Sequence, residues 1–592
     1  MDLDIHFELE FNLLVILFLG AVVVAAAAAL ARKTSIPSPL ILIVVGVAVS
    51  LSLPGDFTIP NTSELILEGV LPPLLFASAV AIPAKDFRRD FTAISMLAVV
   101  LVVVTALSVG ALIHLLLPDV SYPVAVALGA ILSPTDAVAV GIVERLGSPP
   151  RLVTILEGEA LINDASALAV MTTALAAAGL SEGHVEISPA GISILAAWMV
   201  GTAIVVGLVV GFVGLWISAK CHQPALGILL SVLISFAAYI PVEALGGSGL
   251  VSSVVAGLIY GQNATKHIPV RNRISQAQAW ETIEFLLEGA VFLLMGLQIR
   301  QMWEDHRGGL NDRLGTIMIA VLAGLAVLAM RGVFVAPLVK FMQVRAKLRL
   351  KGRDKIVEKL DPARSAKDSA VTKRRRRLAD LDYLAGSPMT WKAGTVLTWA
   401  GMRGVVTLAA AQSLPMGTDR RPALLLIAFF VAAISLFTQA GTLPILLRVF
   451  GMAGHDPLVA ARERDRIQHT LARSAAAHLN DPDLRRPSGE PYSQAAIDVV
   501  SDKFALDLNV ADIDQHSQVN GEAYYESLAE IDAMHEEARE LELLTVHALR
   551  HELLRARSDG VYTSHALKEA LDELDAEEIS VTLRRENEEQ VR

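Results

Sequence analysis

The carboxylates able to hold and release an ion lie inside apolar runs. One run reads Leu156-Glu157-Gly158-Glu159-Ala160-Leu161-Ile162-Asn163-Asp164-Ala165. At 3.6 residues per turn, Glu159 and Asn163 share one helix face, and Glu157, Ala160 and Asp164 share the neighbouring one. An intramembrane carboxylate holds either a proton or a cation. Desolvation raises its pKa, and a nearby cation or Arg lowers it. That competition is enough to exchange one ion for the other, and Asn163 adds a polar partner without a second charge. Two more charged residues sit beside helix breakers, in Ser133-Pro134-Thr135-Asp136 and Gly401-Met402-Arg403-Gly404. Pro removes a backbone hydrogen bond and Gly weakens a helix interior.

These residues need a membrane body to position them. Of 592 residues, 53% are hydrophobic and 19% charged, with mean hydropathy +0.51. Soluble proteins carry about 25% charged residues. Long apolar stretches begin near Phe11, Pro39, Ser63, Thr92, Tyr122, Leu152, Ile192, Pro224, Gly249, Ile283, Leu314, Trp391 and Pro422. Backbone polar groups in lipid need internal partners, so each stretch is read as a helix. The fold class is an all-α polytopic membrane protein of about thirteen transmembrane helices with a cytoplasmic helical tail. At about 1.5 Å per residue, Asp136, Asp164 and Arg403 lie roughly 18–21 Å into their spans, near the bilayer centre. A charge there is functional or paired.

Thirteen spans divide as six, one, six, which inverts the second half relative to the first. Spans five and twelve then correspond, and these carry the two helix-breaking signals. Inverted repeats with broken helices at matching positions mark the sites of secondary transporters. Glu288 and Arg331 are further buried charges at similar depth. They are expected either to form a structural ion pair or, with the stripe Glu281, Glu284 and Glu288, to belong to a cation funnel.

Arg32 and Lys33, then Lys85, Arg88 and Arg89, then Arg145 and Arg151, then Lys220, and then Lys266, Arg271 and Arg273 follow alternate spans. The positive-inside rule puts the N-terminus outside and the C-terminus in the cytoplasm. The acidic leader Met1 to Glu10 does not fit a secretory signal. Residues 1–451 form the transmembrane domain, with a cytoplasmic loop at 342–390 holding 14 Lys/Arg against 6 Asp/Glu. The loop is either solvated or in contact with anionic lipid. Residues 452–592 form a tail with 15 basic and 30 acidic residues. Its helix over Leu541, Leu544, Ala548, Leu553 and Leu554 suits a helical hairpin or an unknown partner. Eight of the fourteen His lie in the tail, as surface residues or as pH sensors.

Net charge −11 argues against a nucleic-acid partner. The single Cys221 excludes an intramolecular disulfide and a Cys-based metal centre. There is no phosphate loop and no nucleophile–base arrangement, so neither an enzyme nor a cofactor is expected.

The segments Ser133 to Asp136, Glu157-Gly158-Glu159 with Asn163-Asp164, and Gly401 to Arg403-Gly404 resemble the sodium/proton exchanger branch (NhaP-type) of the monovalent cation:proton antiporters. Leu71-Pro72-Pro73-Leu74-Leu75-Phe76 and Phe292 to Leu297 are similar as well, and the likeness covers roughly residues 11–450. The resemblance implies a homodimer in the cell membrane with crossed broken helices and an elevator-like movement. It implies that Asp164 binds the ion and the proton and that Thr135 ligates Na⁺ or K⁺. It further implies that Asn163 and Glu159 partner Arg403, and that Asp136 neutralises helix ends. An Asn-Asp pair implies electroneutral exchange of one Na⁺ for one H⁺. K⁺/H⁺ exchange is the alternative, and a passive channel or sensor a further one. Where many relatives place an acidic residue and a Ser, this chain has Ala77 and Ala160, which leaves Na⁺, Li⁺ and K⁺ preference open.

Overall fold

Without water to satisfy backbone groups, an apolar segment closes its own hydrogen bonds, and all thirteen apolar stretches are helical. The computed structural model describes residues 2–34, 36–52, 65–180, 189–306, 309–350, 369–386, 388–454, 457–507, 528–559 and 562–591. Among the described residues, seven helices are each long and apolar enough to cross a membrane: Lys85–Leu116, Pro150–Ala177, Ala197–Ala219, Pro224–Ala244, Val270–Asp305, Asn311–Leu350 and Arg421–Val449. Ser38–Ser52 and Leu65–Ala81 are shorter. Spans five and twelve are each two half-helices, Tyr122–Ile131 with Ala137–Arg145, and Trp391–Trp399 with Val405–Gln412.

The chain forms two compact units. The first comprises residues 1–345 and 387–454, and its helices pack in two groups. In one group, Val270–Leu297 lies against Ser38–Ser52, Leu65–Ala81 packs with Pro224–Ala244 and Gly249–His267, and Pro189–Ala219 packs on the latter two. Small residues let membrane helices approach closely. A Cβ on Gly46 would lie 2.5 Å from the Leu293 carbonyl oxygen, and one on Gly296 would lie 2.4 Å from that of Ile43. The Ser50 hydroxyl donates to the Leu297 carbonyl at 2.7 Å. This pair of helices forms a stiff scaffold. The second group holds Lys85–Leu116, Tyr122–Ile131, Pro150–Ala177, Val405–Gln412 and Arg421–Val449. Within it, buried Arg151 clamps buried Asp90, its Nη2 donating at 2.7 Å and its Nε at 3.0 Å.

The second unit comprises residues 346–386 and 455–592. Most of the basic loop groups with the tail in this unit. The loop helix Ser369–Gly386 packs on Leu528–Asp559 and buries Leu381. The rest of that loop, 351–368, lies outside the described residues. Leu528–Asp559 and Ser564–Val591 form a hairpin around Leu541, Val546, Leu549, Leu553 and Leu571. Ala538, Glu542 and Thr545 are also buried. They break the apolar pattern, because Glu542 is neutralised by Lys503 and the Thr545 hydroxyl donates to the Leu541 carbonyl. Glu537 accepts from the Ser493 backbone N–H and hydroxyl, and Glu463 accepts likewise from Thr563. Each carboxylate thereby ties the start of one helix to the side of another.

Two outcomes follow from this packing. Gly296→Val drives a side chain into the Ile43 carbonyl, so the purified protein should melt several degrees lower in a fluorescence size-exclusion assay, with Gly296→Ala intermediate. In the tail, the half-buried His478 has an Nε2 with no hydrogen-bond partner among the described residues. Desolvation holds its pKa below the usual range, against the opposing pull of Asp481. The unfolded chain therefore takes up the proton more readily, and this His withdraws stability as pH falls through and below 6.5. Protection factors across 462–479, with exchange rates corrected for their intrinsic pH dependence, should fall between pH 7.5 and 5.5, and His478→Gln should flatten that change.

Candidate functional site

Pro134 cannot donate to the helix before it and steers Ser133 out of helical geometry, so span five stops at Ile131 and restarts at Ala137. Span twelve stops at Trp399 and restarts at Val405. The two extended breaks meet: the Asp136 backbone N–H donates to the Met402 carbonyl at 2.8 Å. Each break exposes two helix ends, with free carbonyls on one side and free N–H groups on the other.

Arg403 serves the carbonyl ends. Its Nε donates to the Leu132 carbonyl at 2.8 Å, its guanidinium also reaches the carbonyls of Ser133 and Gly401, and its backbone N–H donates to the Ser435 hydroxyl at 2.9 Å. A cation is favourable at a helix C-terminus. Asp136 lies at the N–H ends. It accepts from the Val138 N–H at 3.3 Å. A Cβ on Gly404, the residue that opens Val405–Gln412, would lie 1.9 Å from an Asp136 carboxylate oxygen. Only glycine admits that approach.

Two expected pairings are corrected. Arg403 makes no hydrogen bond to Glu159 or Asn163; the broken helices supply enough carbonyls to occupy it. Arg331 does not pair with Glu288. It grips Glu159 with both terminal nitrogens, Nη2 to Oε2 at 2.9 Å, and donates from Nε to the Leu397 carbonyl at 2.8 Å. Equal depth in two helices does not make them neighbours, and Arg331 faces Pro150–Ala177 and the end of Trp391–Trp399. Arg331 and Glu159 are 2% and 1% exposed, so the pair is dry. Removing one partner of such a pair costs about 3–5 kcal/mol.

Glu159 also accepts from the Thr135 hydroxyl at 3.3 Å, and the Asn163 amide donates to that hydroxyl at 2.6 Å. A polar chain thus runs Asn163, Thr135, Glu159, Arg331. Asn163 Oδ1 is buried with no hydrogen-bond partner among the described residues. Asp164 is 8% exposed and carries no hydrogen bond or ion pair among the described residues. It faces a cavity of about 300 Å³ also lined by Thr135 and Asp136. Glu144, Glu157, Glu284 and Glu288 line the same cavity, and no Lys or Arg does. Such a surface concentrates cations. The lining runs from Ile66 and Thr407 to Ala81, Ile82 and Glu144. The latter lie next to the ends that carry Lys85 and Arg145. Within the site, the Asp164 carboxylate, the Thr135 hydroxyl and Asn163 Oδ1 are oxygens suited to a hard monovalent cation.

Glu288 and Glu284 belong to this cavity, whereas Glu281 does not line it. Glu144 was not singled out from sequence; its only signal is its place one residue before basic Arg145. The Arg151–Asp90 clamp was also missed, since Asp90 reads as one charge in a solvated loop. Of the two departures, Ala160 lines the cavity, and Ser78 lines it too. Ala77 instead packs with Phe76 and Tyr260, away from it.

Arg331→Met should strand Glu159 and lower the melting temperature strongly in detergent. The double variant Glu159→Gln/Arg331→Met should recover most of that loss.

Comparison with known proteins agrees with this geometry. Residues 18–449 match the family model described as sodium/hydrogen exchanger, transmembrane. The chain is 28% identical over 453 residues to the Na(+)/H(+) antiporter ApNhaP of Aphanothece halophytica, covering 74% of this chain and 76% of the relative. It is 30% identical over 461 residues to an uncharacterised Na(+)/H(+) exchanger of Mycobacterium tuberculosis, again covering 74% and 76%. The fold is similar to that of the sodium proton antiporter MjNhaP1 from Methanocaldococcus jannaschii, with TM-score 0.53 and 17% identity over 77% of this chain and 100% of that one. With the family model matched over most of its length, the chain belongs to the sodium/hydrogen exchanger family.

Proposed function

We propose that this protein exchanges one Na⁺ for one H⁺ by competition of the two ions for Asp164. The observation that carries this reading is an acidic side chain buried at the crossing of two broken helices, facing a cavity and left without a counter-charge. Na⁺ binds to the Asp164 carboxylate with Thr135 and Asn163 beside it, and a proton takes its place when Na⁺ leaves. Glu159 and Asp136 do not compete as the primary site, since Arg331 neutralises the first and two helix N-termini face the second. Asn163 next to Asp164 leaves one titrating carboxylate at the binding position, which supports a 1:1 exchange.

The site opens to one aqueous side at a time. The cavity reaches the ends rich in Lys and Arg, which supports cytoplasmic access in this conformation, with the N-terminus outside and the tail inside the cell membrane. The same reading takes the protein as a homodimer. K⁺/H⁺ exchange is the second reading: Ala160 on the cavity wall supplies no oxygen, so the site selects less strictly among monovalent cations.

In everted vesicles carrying a proton gradient, Na⁺ should dequench a pH-sensitive dye, and Asp164→Asn should abolish the signal with the protein still folded. Running Li⁺ and K⁺ alongside ranks the cations. A channel would let cations move down their own gradient, whereas the exchanger accumulates them against it when driven by the proton gradient alone. Retained exchange in Asp164→Asn removes the proposal.

A further inference from the structure

At the end away from Lys85 and Arg145, the cavity lining stops at Thr407 on one helix and at Phe292 on another. Five residues past Thr407, about 7.5 Å along the helix, lies Gln412; six residues past Phe292, about 9 Å along, lies Gln298. The Gln412 amide donates to the Gln298 side-chain oxygen, and both residues are buried.

The two ends of this bond belong to differently braced bodies. Gln298 caps the C-terminus of Val270–Leu297, whose close packing on Ser38–Ser52 through Gly46 and Gly296 makes it part of the scaffold. Gln412 ends the half-helix Val405–Gln412, which starts at the ion site. Arg421, at the start of the last long helix, holds it by donating to the Gln412 carbonyl at 2.7 Å and to the Leu414 carbonyl at 2.8 Å. The amide–amide hydrogen bond therefore spans the boundary between the helices that carry the site and the scaffold that faces it.

Its chemistry suits a contact made and broken on every cycle. Both groups are neutral, so no buried charge is stranded when they part. Gln412 Oε1 is buried without a hydrogen-bond partner among the described residues. A half-satisfied amide in an apolar closure costs free energy there and regains it in water.

We propose that the Gln298–Gln412 pair is the polar latch that keeps the far side of the transport cavity closed. Separation of the pair admits water and ions from that side. This rests on the reading of the protein as an alternating-access exchanger, so the test reads access apart from transport.

Cys221 is the chain's only cysteine, so Cys221→Ser gives a background for a reporter, Thr407→Cys. A membrane-impermeant methanethiosulfonate reagent is applied to intact cells and, separately, to everted vesicles. With the latch intact, labelling is expected from the everted side. Gln412→Leu, or Gln298→Leu if the first does not fold, should raise labelling from the intact-cell side by roughly two- to tenfold, the range for loss of one neutral hydrogen bond. Unchanged labelling in a folded variant overturns the latch, whatever the transport result; the expected shift in a protein that exchanges no ions leaves the latch standing and removes the exchanger reading. A second arm joins Gln298→Cys to Gln412→Cys with a short bifunctional methanethiosulfonate. Cross-linked protein should stop exchanging and recover on reduction. Continued exchange in the cross-linked protein overturns the proposal.

Discussion

Two broken helices cross inside an apolar body, and every free helix end made by the breaks needs a counter-charge. Arg403 answers the carbonyl ends through Leu132, Ser133 and Gly401. Asp136 stands at the N–H ends, against Gly404 and Val138. Irregular backbone survives at membrane depth only when such groups are satisfied. With Arg403 and Asp136 committed to helix ends, and Arg331 committed to Glu159, no Lys or Arg among the described residues pairs with Asp164. In the proposed exchange, its charge is the one that the mobile ions balance, reached through the acidic cavity.

The same accounting explains why the neighbours of Asp164 are neutral. Thr135 and Asn163 bridge towards Glu159 without adding charge. A second cation at Asp164 would hold the carboxylate permanently ionised and remove the proton from the cycle. A second acid would change how many charges cross. In the proposed exchange, Asp164 is the position the two ions share, and the scaffold helices, pressed together at Gly46 and Gly296, are the fixed surface for the movement.

Much of this was legible in the sequence because it rests on local signals. Apolar length marked the helices, Pro134 and the Gly401/Gly404 pair marked the breaks, and depth along the span marked Asp164. The place of Asp136 at helix ends was expected from the family resemblance. What was not legible is which helix faces which. Arg331 and Glu288 match in depth, but depth is one coordinate, and rotation and lateral packing decide the pair. Arg403 was expected to seek a carboxylate, whereas broken helices offer it carbonyls that no side-chain pattern advertises. The tail shows the same limit: Glu542 and Thr545 spoil an apolar stripe yet are buried, because Lys503 and a backbone carbonyl satisfy them.

The central claim is that Na⁺ and H⁺ share Asp164. Calorimetry of Na⁺ binding to the purified protein, repeated near the apparent pKa of the site in buffers of different ionisation enthalpy, counts the protons released per ion bound. The account predicts about one proton released by the unsubstituted protein and neither release nor saturable binding in Asp164→Asn. Saturable Na⁺ binding with no proton released, or release undiminished in that variant, would contradict it.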